Sequence, residues 1–234
     1  MEHLDLTGRF TDAVGYALAA HDGQVRTGTR IPYASHLLAV SALVLEHGGD
    51  ELQATAAILH DVVEDCGGRP RLDEVRERFG PRVAELVEAL SDSISEDPSA
   101  KAPWRRRKED YLEHLGQLAR QGHPAVLVAL CDKLHNARAI VADASDPKGP
   151  GATVWDRFSA DAAGVAWYYR SLAGILVASP ALPARARREL QATVQQLVAL
   201  AADADDRATP PQPPATTPAP DPRSPADGGP AGSP

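Results

Sequence analysis

From Phe10 to Ala202 apolar residues recur at the three- and four-residue spacing of amphipathic helices, and alternating β-branched runs are nearly absent. A chain patterned this way has little to build a sheet from, so it must bury helix faces against one another. The expected fold is all-α, a helical bundle. Glycine and proline mark where the pattern stops. They divide it into helices over about Phe10–His21, Ser35 to Gly48, Asp50 to a last turn that holds His60-Asp61 and Glu64-Asp65, Leu72–Phe79, Pro81–Ser91 and Trp104–Arg120. Three longer ones follow, from Pro124, from Val154 to about Ala178, and from Pro183 to Ala202. A polar, basic, glycine-bearing loop, Arg26–Pro32, separates the first two.

The pattern ends near Ala202. Ten of the chain's twenty prolines lie between Pro210 and Pro234, and such a segment buries too little apolar surface to offset its chain entropy. The expected organisation is therefore one folded domain over residues 1–203 and a disordered Pro/Ala-rich tail over 204–234. The formal charge is −8, of which the tail carries −2 (Asp205, Asp206, Asp221 and Asp227 against Arg207 and Arg223), leaving −6 for the domain. That balance argues against nucleic acid as a partner, while leaving room for a small polyanion in a pocket whose field is set by a metal and a few arginines. Two cysteines, Cys66 and Cys131, make no disulfide framework. No basic-then-apolar leader and no run of about 18 apolar residues is present, so a cytoplasmic protein without membrane attachment is expected.

Within this apolar pattern a few titratable residues sit where burial would be costly. The third helix runs apolar through Ala54, Ala57, Ile58 and Leu59 and then meets His60-Asp61 and Glu64-Asp65. A buried imidazole and carboxylate need partners or a metal. His36 among Leu37-Leu38, and Asp132 after Leu130-Cys131, lie at similar apolar-flanked helix positions. Together His36, His60, Asp61 and Asp132 form a mixed nitrogen and oxygen set suited to Mn²⁺, Fe²⁺ or Zn²⁺ better than to Ca²⁺. A metal so held acidifies water and neutralises charge on a phosphoryl group, which points to hydrolysis of a phosphate ester or anhydride. Glu64 follows His60 by four residues and Asp65 follows Asp61 by four. If the helix continues, both acids face the same side and can orient water or take its proton. Asn136, one turn after Asp132, would face the same cavity.

The basic run Trp104–Lys108 reads as a solvated helix start, or as a phosphate contact together with Lys101. Trp155, Trp167, Tyr168 and Tyr169 read as core, or as the far wall of a pocket.

The stretches Gln24–His36, Ala57-Ile58-Leu59-His60-Asp61-Val62-Val63-Glu64-Asp65, Leu72–Gly80 and Asp132-Lys133-Leu134-His135-Asn136-Ala137-Arg138 resemble, in order and spacing, the hydrolase domain of the RelA/SpoT family, most of all its small stand-alone members. The resemblance covers roughly residues 8 to 178. It implies an HD-domain fold and a Mn²⁺-dependent (p)ppGpp 3′-pyrophosphohydrolase. Residue by residue, His36, His60, Asp61 and Asp132 match metal ligands, and Glu64 and Asp65 match the catalytic acids. Arg26 and Asn136 match nucleotide-binding positions, with Lys101 and Tyr168 further candidates. Hydrolysis of another nucleotide or of a dinucleotide cofactor, and a non-catalytic nucleotide-binding module, are the competing readings.

Overall fold

The computed structural model describes residues 5–91 and 102–208, and the described residues contain helices and loops but no strand. Ten α-helices follow in order: α1 Gly8–Ala20, α2 Ala34–Glu46, α3 Glu51–Leu59, α4 Val62–Cys66, α5 Gly68–Phe79, α6 Pro81–Leu90, α7 Trp104–Gln121, α8 Ala125–Ser145, α9 Ala162–Ala178 and α10 Ala184–Ala208. A 3-10 turn, Gly151–Arg157, precedes α9. The all-α expectation holds. Residues 92–101, with Lys101, and 209–234 lie outside the described residues. The last helix crosses the boundary expected at residue 203 and runs through Ala208.

Local chemistry explains the starts and stops. Thr7 accepts from the Arg9 amide at the start of α1, and its own N–H and hydroxyl both donate to Glu51, tying that end to the start of α3. Asp50 and Gln53 form a reciprocal capping box on α3. Pro81 occupies the first turn of α6, and Gly122, in the left-handed conformation, closes α7.

Two sequence expectations are corrected. The third helix does not run on through the acids: α3 stops at Leu59, Asp61 adopts φ −92°, ψ −9°, and Glu64 and Asp65 sit on the separate short helix α4. The pattern from Val154 to Ala178 is likewise two elements, because Asp161 leaves helical geometry to accept from the Gly164 amide and cap α9 anew.

The core lies on both sides of α3 and α8. One cluster packs α1, α4, α5 and α6 around Ile58, Leu59, Leu72 and Val75. The other packs α2, α7, α9 and α10 around the long helix α8, where Leu130 and Leu134 are fully buried. This arrangement brings the start of α2, the α3–α4 junction and the middle of α8 to one point.

Candidate metal centre

His36 enters from the first turn of α2, His60 and Asp61 from the junction between α3 and α4, and Asp132 from α8. His36, His60 and Asp132 are buried, and their ligand atoms lie within 4.8 Å of one another. Asp61 Oδ2 joins them, 3.5 Å from His36 Nε2 and 3.0 Å from His60 Nε2. Asp132 Oδ1 is 3.3 Å and 3.7 Å from the same two nitrogens.

Proton positions follow from the partners. His60 Nδ1 lies 2.8 Å from the Ala57 carbonyl, which can only accept, so Nδ1 carries a proton and Nε2 is the nitrogen turned toward the two carboxylates, free to give up its own proton in favour of a metal. That Nε2 is buried without a hydrogen bond of good geometry. His36 Nδ1 lies 2.8 Å from His135 Nδ1. Burial, then His36 and Arg26, push the His135 pKa down to about 4, so His135 stays neutral and can accept the His36 proton, leaving His36 Nε2 to face the cluster.

Charge is concentrated here. Burial opposes a charge on His60, yet Asp61 and Asp132 outweigh it and hold its pKa well above the usual value. Burial would raise Asp61 and Asp132, but the imidazoles beside Asp61, and Lys133 with the imidazoles beside Asp132, hold both well below the carboxylate range. A divalent cation satisfies the same groups. Two inward lone pairs and two carboxylate oxygens, each ring held from behind by a hydrogen bond, are a donor set that fits one.

The remaining expected residues surround the cluster. Glu64 lines the cavity of about 190 Å³ at the cluster together with His36, His60, Asp61 and Asp132. Asp65 reaches solvent on one side, but the protein packed against its other side and the Asp61 carboxylate raise its pKa; Gln24 donates to it at 3.0 Å. Arg26 Nη2 donates to Asn136 Oδ1 at 2.8 Å, and Asn136 Nδ2 donates to Asp132 Oδ1 at 2.6 Å, linking the basic loop to the cluster. Tyr168 is buried against Trp104 and Tyr169, yet it lines a second cavity of about 560 Å³ with Arg26, Tyr33 and Asn136. Of the basic run at α7, Arg105 stacks on Trp167 and Arg106 pairs with Asp110, whereas Lys108 lines both cavities.

Sequence reasoning did not single out three residues. His135 backs His36, and Tyr33 donates to Asp61 Oδ2 at 2.6 Å. Lys133 pairs with Asp132 Oδ2 at 2.7 Å, while Lys108, from the basic run, stands between the two cavities. The spacing Asp132-x-x-His135 on one helix was the available signal for the first.

The family model for the HD domain matches residues 13–166. The chain belongs to the HD domain family. This HD domain is 32% identical over 139 residues to the bifunctional (p)ppGpp synthase/hydrolase SpoT of Escherichia coli, a match covering 58% of the chain and 18% of that protein. It is 33% identical over 125 residues to the guanosine-3′,5′-bis(diphosphate) 3′-pyrophosphohydrolase of Haemophilus influenzae, covering 52% and 17%. The matched stretch thus spans under a fifth of these curated relatives. Among solved structures, a metazoan orthologue of SpoT, described as hydrolysing ppGpp and playing a role in starvation responses, superposes with a TM-score of 0.64 at 24% identity, over 83% of this chain and 98% of that one. That likeness carries the fold. No helix among the described residues is long and apolar enough to cross a membrane.

Proposed function

We propose that this HD domain is a Mn²⁺-dependent hydrolase that removes pyrophosphate from the 3′ position of (p)ppGpp. The observation that carries the reading is the convergence of His36, His60, Asp61 and Asp132 on one point, at the floor of a cavity that shares Tyr33, Lys108, Lys133 and Asn136 with a larger one of nucleotide size. The curated relatives, whose names include this reaction, support the substrate.

In this reading His36, His60, Asp61 and Asp132 hold the metal. When bound, the cation supplies Lewis acidity toward a phosphoryl oxygen and acidifies water. Glu64, on the cavity wall, orients the attacking water, and Asp65, fixed by Gln24, takes part in moving its proton. Lys108 and Lys133 neutralise phosphate charge, while Arg26 and Asn136 hold the ribose end. Tyr168 and Trp104 close the far wall and exclude water from the larger cavity. The domain acts in the cytoplasm, where guanine nucleotides are made and consumed.

Incubating Mn²⁺-loaded protein with a panel of nucleotides, ppGpp and dinucleotide cofactors included, tests the reading. Pyrophosphate release from ppGpp that disappears in His60→Ala and Asp61→Ala supports it. Turnover confined to other nucleotides would replace the substrate, and absence of any metal-dependent turnover would favour a binding module.

A further inference from the structure

The larger cavity has two chemically different ends. At the end shared with the metal centre stand Lys108 and Lys133, with Arg26 hydrogen-bonded to Asn136, which lines both cavities. At the other end the lining is apolar, with Ile140, Val154, Phe158 and Val165, except for one ion pair in which Arg157 Nη1 binds Asp143 Oδ2. The pair carries no net charge, so that end does not attract phosphate as the first does.

Helix α8 connects the two. Asn136 is four residues after Asp132 and Asp143 is eleven after it. At about 100° per residue these fall within roughly 40° of one face, and Asp143 stands about 16 Å along the helix from the metal ligand. A ribose at Asn136 therefore places an attached base against the apolar wall, with the Asp143 carboxylate at its edge. The pair is held in place from the loop side as well. Gly28 has φ +72°, and a Cβ there would come within 2.7 Å of the Arg157 side chain, so only glycine lets Arg157 lie against the loop and fix one carboxylate oxygen.

We propose that Asp143 determines base specificity, accepting hydrogen bonds from the paired N–H donors of guanine and disfavouring adenine, which offers its acceptor nitrogen at the corresponding ring position. This rests on the nucleotide reading of the site above. A carboxylate accepts two parallel N–H bonds from the guanine edge, whereas the adenine ring nitrogen would face it lone pair to lone pair.

The test is binding, by calorimetry, of guanosine, inosine and adenosine 5′-diphosphates to Mn²⁺-loaded full-length protein. None carries a 3′ phosphate, so turnover plays no part. The wild type should favour the guanosine ligand over the adenosine ligand by about tenfold to a hundredfold, with inosine, which lacks the exocyclic amine, between them. Asp143→Asn should collapse that ratio, weakening guanosine diphosphate and, with the lone-pair opposition removed, strengthening adenosine diphosphate, and Arg157→Gln, which keeps the carboxylate, should retain most of it. Equal wild-type affinities, or an Asp143→Asn variant that weakens all three ligands alike, would overturn the assignment. Should Asp143→Asn fail to fold, Asp143→Ser, which also removes the carboxylate, is read in its place, and a ratio it leaves unchanged would overturn the assignment. A preference for guanosine diphosphate that is lost in Asp143→Asn, with no pyrophosphate released from ppGpp, keeps Asp143 and loses the reaction; the reverse pattern loses Asp143 and keeps the reaction.

Discussion

His135 does for His36 what the Ala57 carbonyl does for His60: each fixes the far ring nitrogen so that Nε2 turns inward. Orienting groups of this kind set metal affinity as well as ligand geometry, so His135→Ala should weaken Mn²⁺ binding by about tenfold to a hundredfold in a metal titration while the fold persists. Unchanged affinity would mean that His36 needs no such partner. The clustered residues His36, His60, Asp61 and Asp132 were legible in sequence because a His or Asp among buried apolar residues has few inexpensive explanations. His135 was not, since its role depends on His36, 99 residues away, and Tyr33 likewise acts on Asp61 from 28 residues away. A different histidine reports on stability. His47 is buried with neither ring nitrogen hydrogen-bonded, and burial lowers its pKa below 6.5, only partly opposed by Glu189 at 3.7 Å. Because the unfolded chain binds the proton more tightly, the neutral ring's contribution is fully present above about pH 6.5 and is lost as pH falls toward the folded value. The stability of wild type relative to His47→Leu, measured by urea unfolding, should therefore fall between pH 7.5 and 5; a relative stability that rises would reverse the sign of this argument.

Among elements, α3 and α8 position the centre, and each is held by features that can be removed singly. Asp50→Ala deletes the side-chain half of the capping box on α3 and should cost about 1 kcal/mol, seen as a lower urea midpoint at unchanged slope. Leu130→Ala, in the fully buried face of α8, should cost about 2–5 kcal/mol. Helix starts at Asp50, Pro81 and Pro124 were readable because capping and proline chemistry act locally. The break after Leu59 was not, because the three- and four-residue spacing of Ala57, His60, Asp61 and Glu64 continues across a junction whose geometry departs only slightly from helical. The division at Phe158–Asp161 was hidden similarly: Val154, Trp155, Val165 and Ala166 are all buried, so periodicity persisted through the turn, and the Asp161-to-Gly164 cap was the overlooked mark.

For the whole molecule, metal, fold and reaction are linked. Four inward-facing groups from three segments of the chain form one donor set, and a cation that binds only the folded state should stabilise it by about 2.7 kcal/mol at a Mn²⁺ concentration a hundred times its Kd. Thermal denaturation with and without Mn²⁺ reads this as a rise in Tm that a chelator reverses and that His36→Ala abolishes; a Tm indifferent to metal would leave the cluster a plain ion-pair network. The composition and pattern gave the all-α class, and the buried His and Asp residues gave the centre, but the nucleotide-sized cavity and its two unlike ends exist only once α7, α8 and α9 pack together. The most direct measurement of the central claim is product analysis of ppGpp incubated with Mn²⁺-loaded protein. The proposed reaction gives guanosine 5′-diphosphate and pyrophosphate in equal amounts, with none formed by Asp61→Ala; orthophosphate in place of pyrophosphate, or intact ppGpp after metal loading is verified, would contradict it.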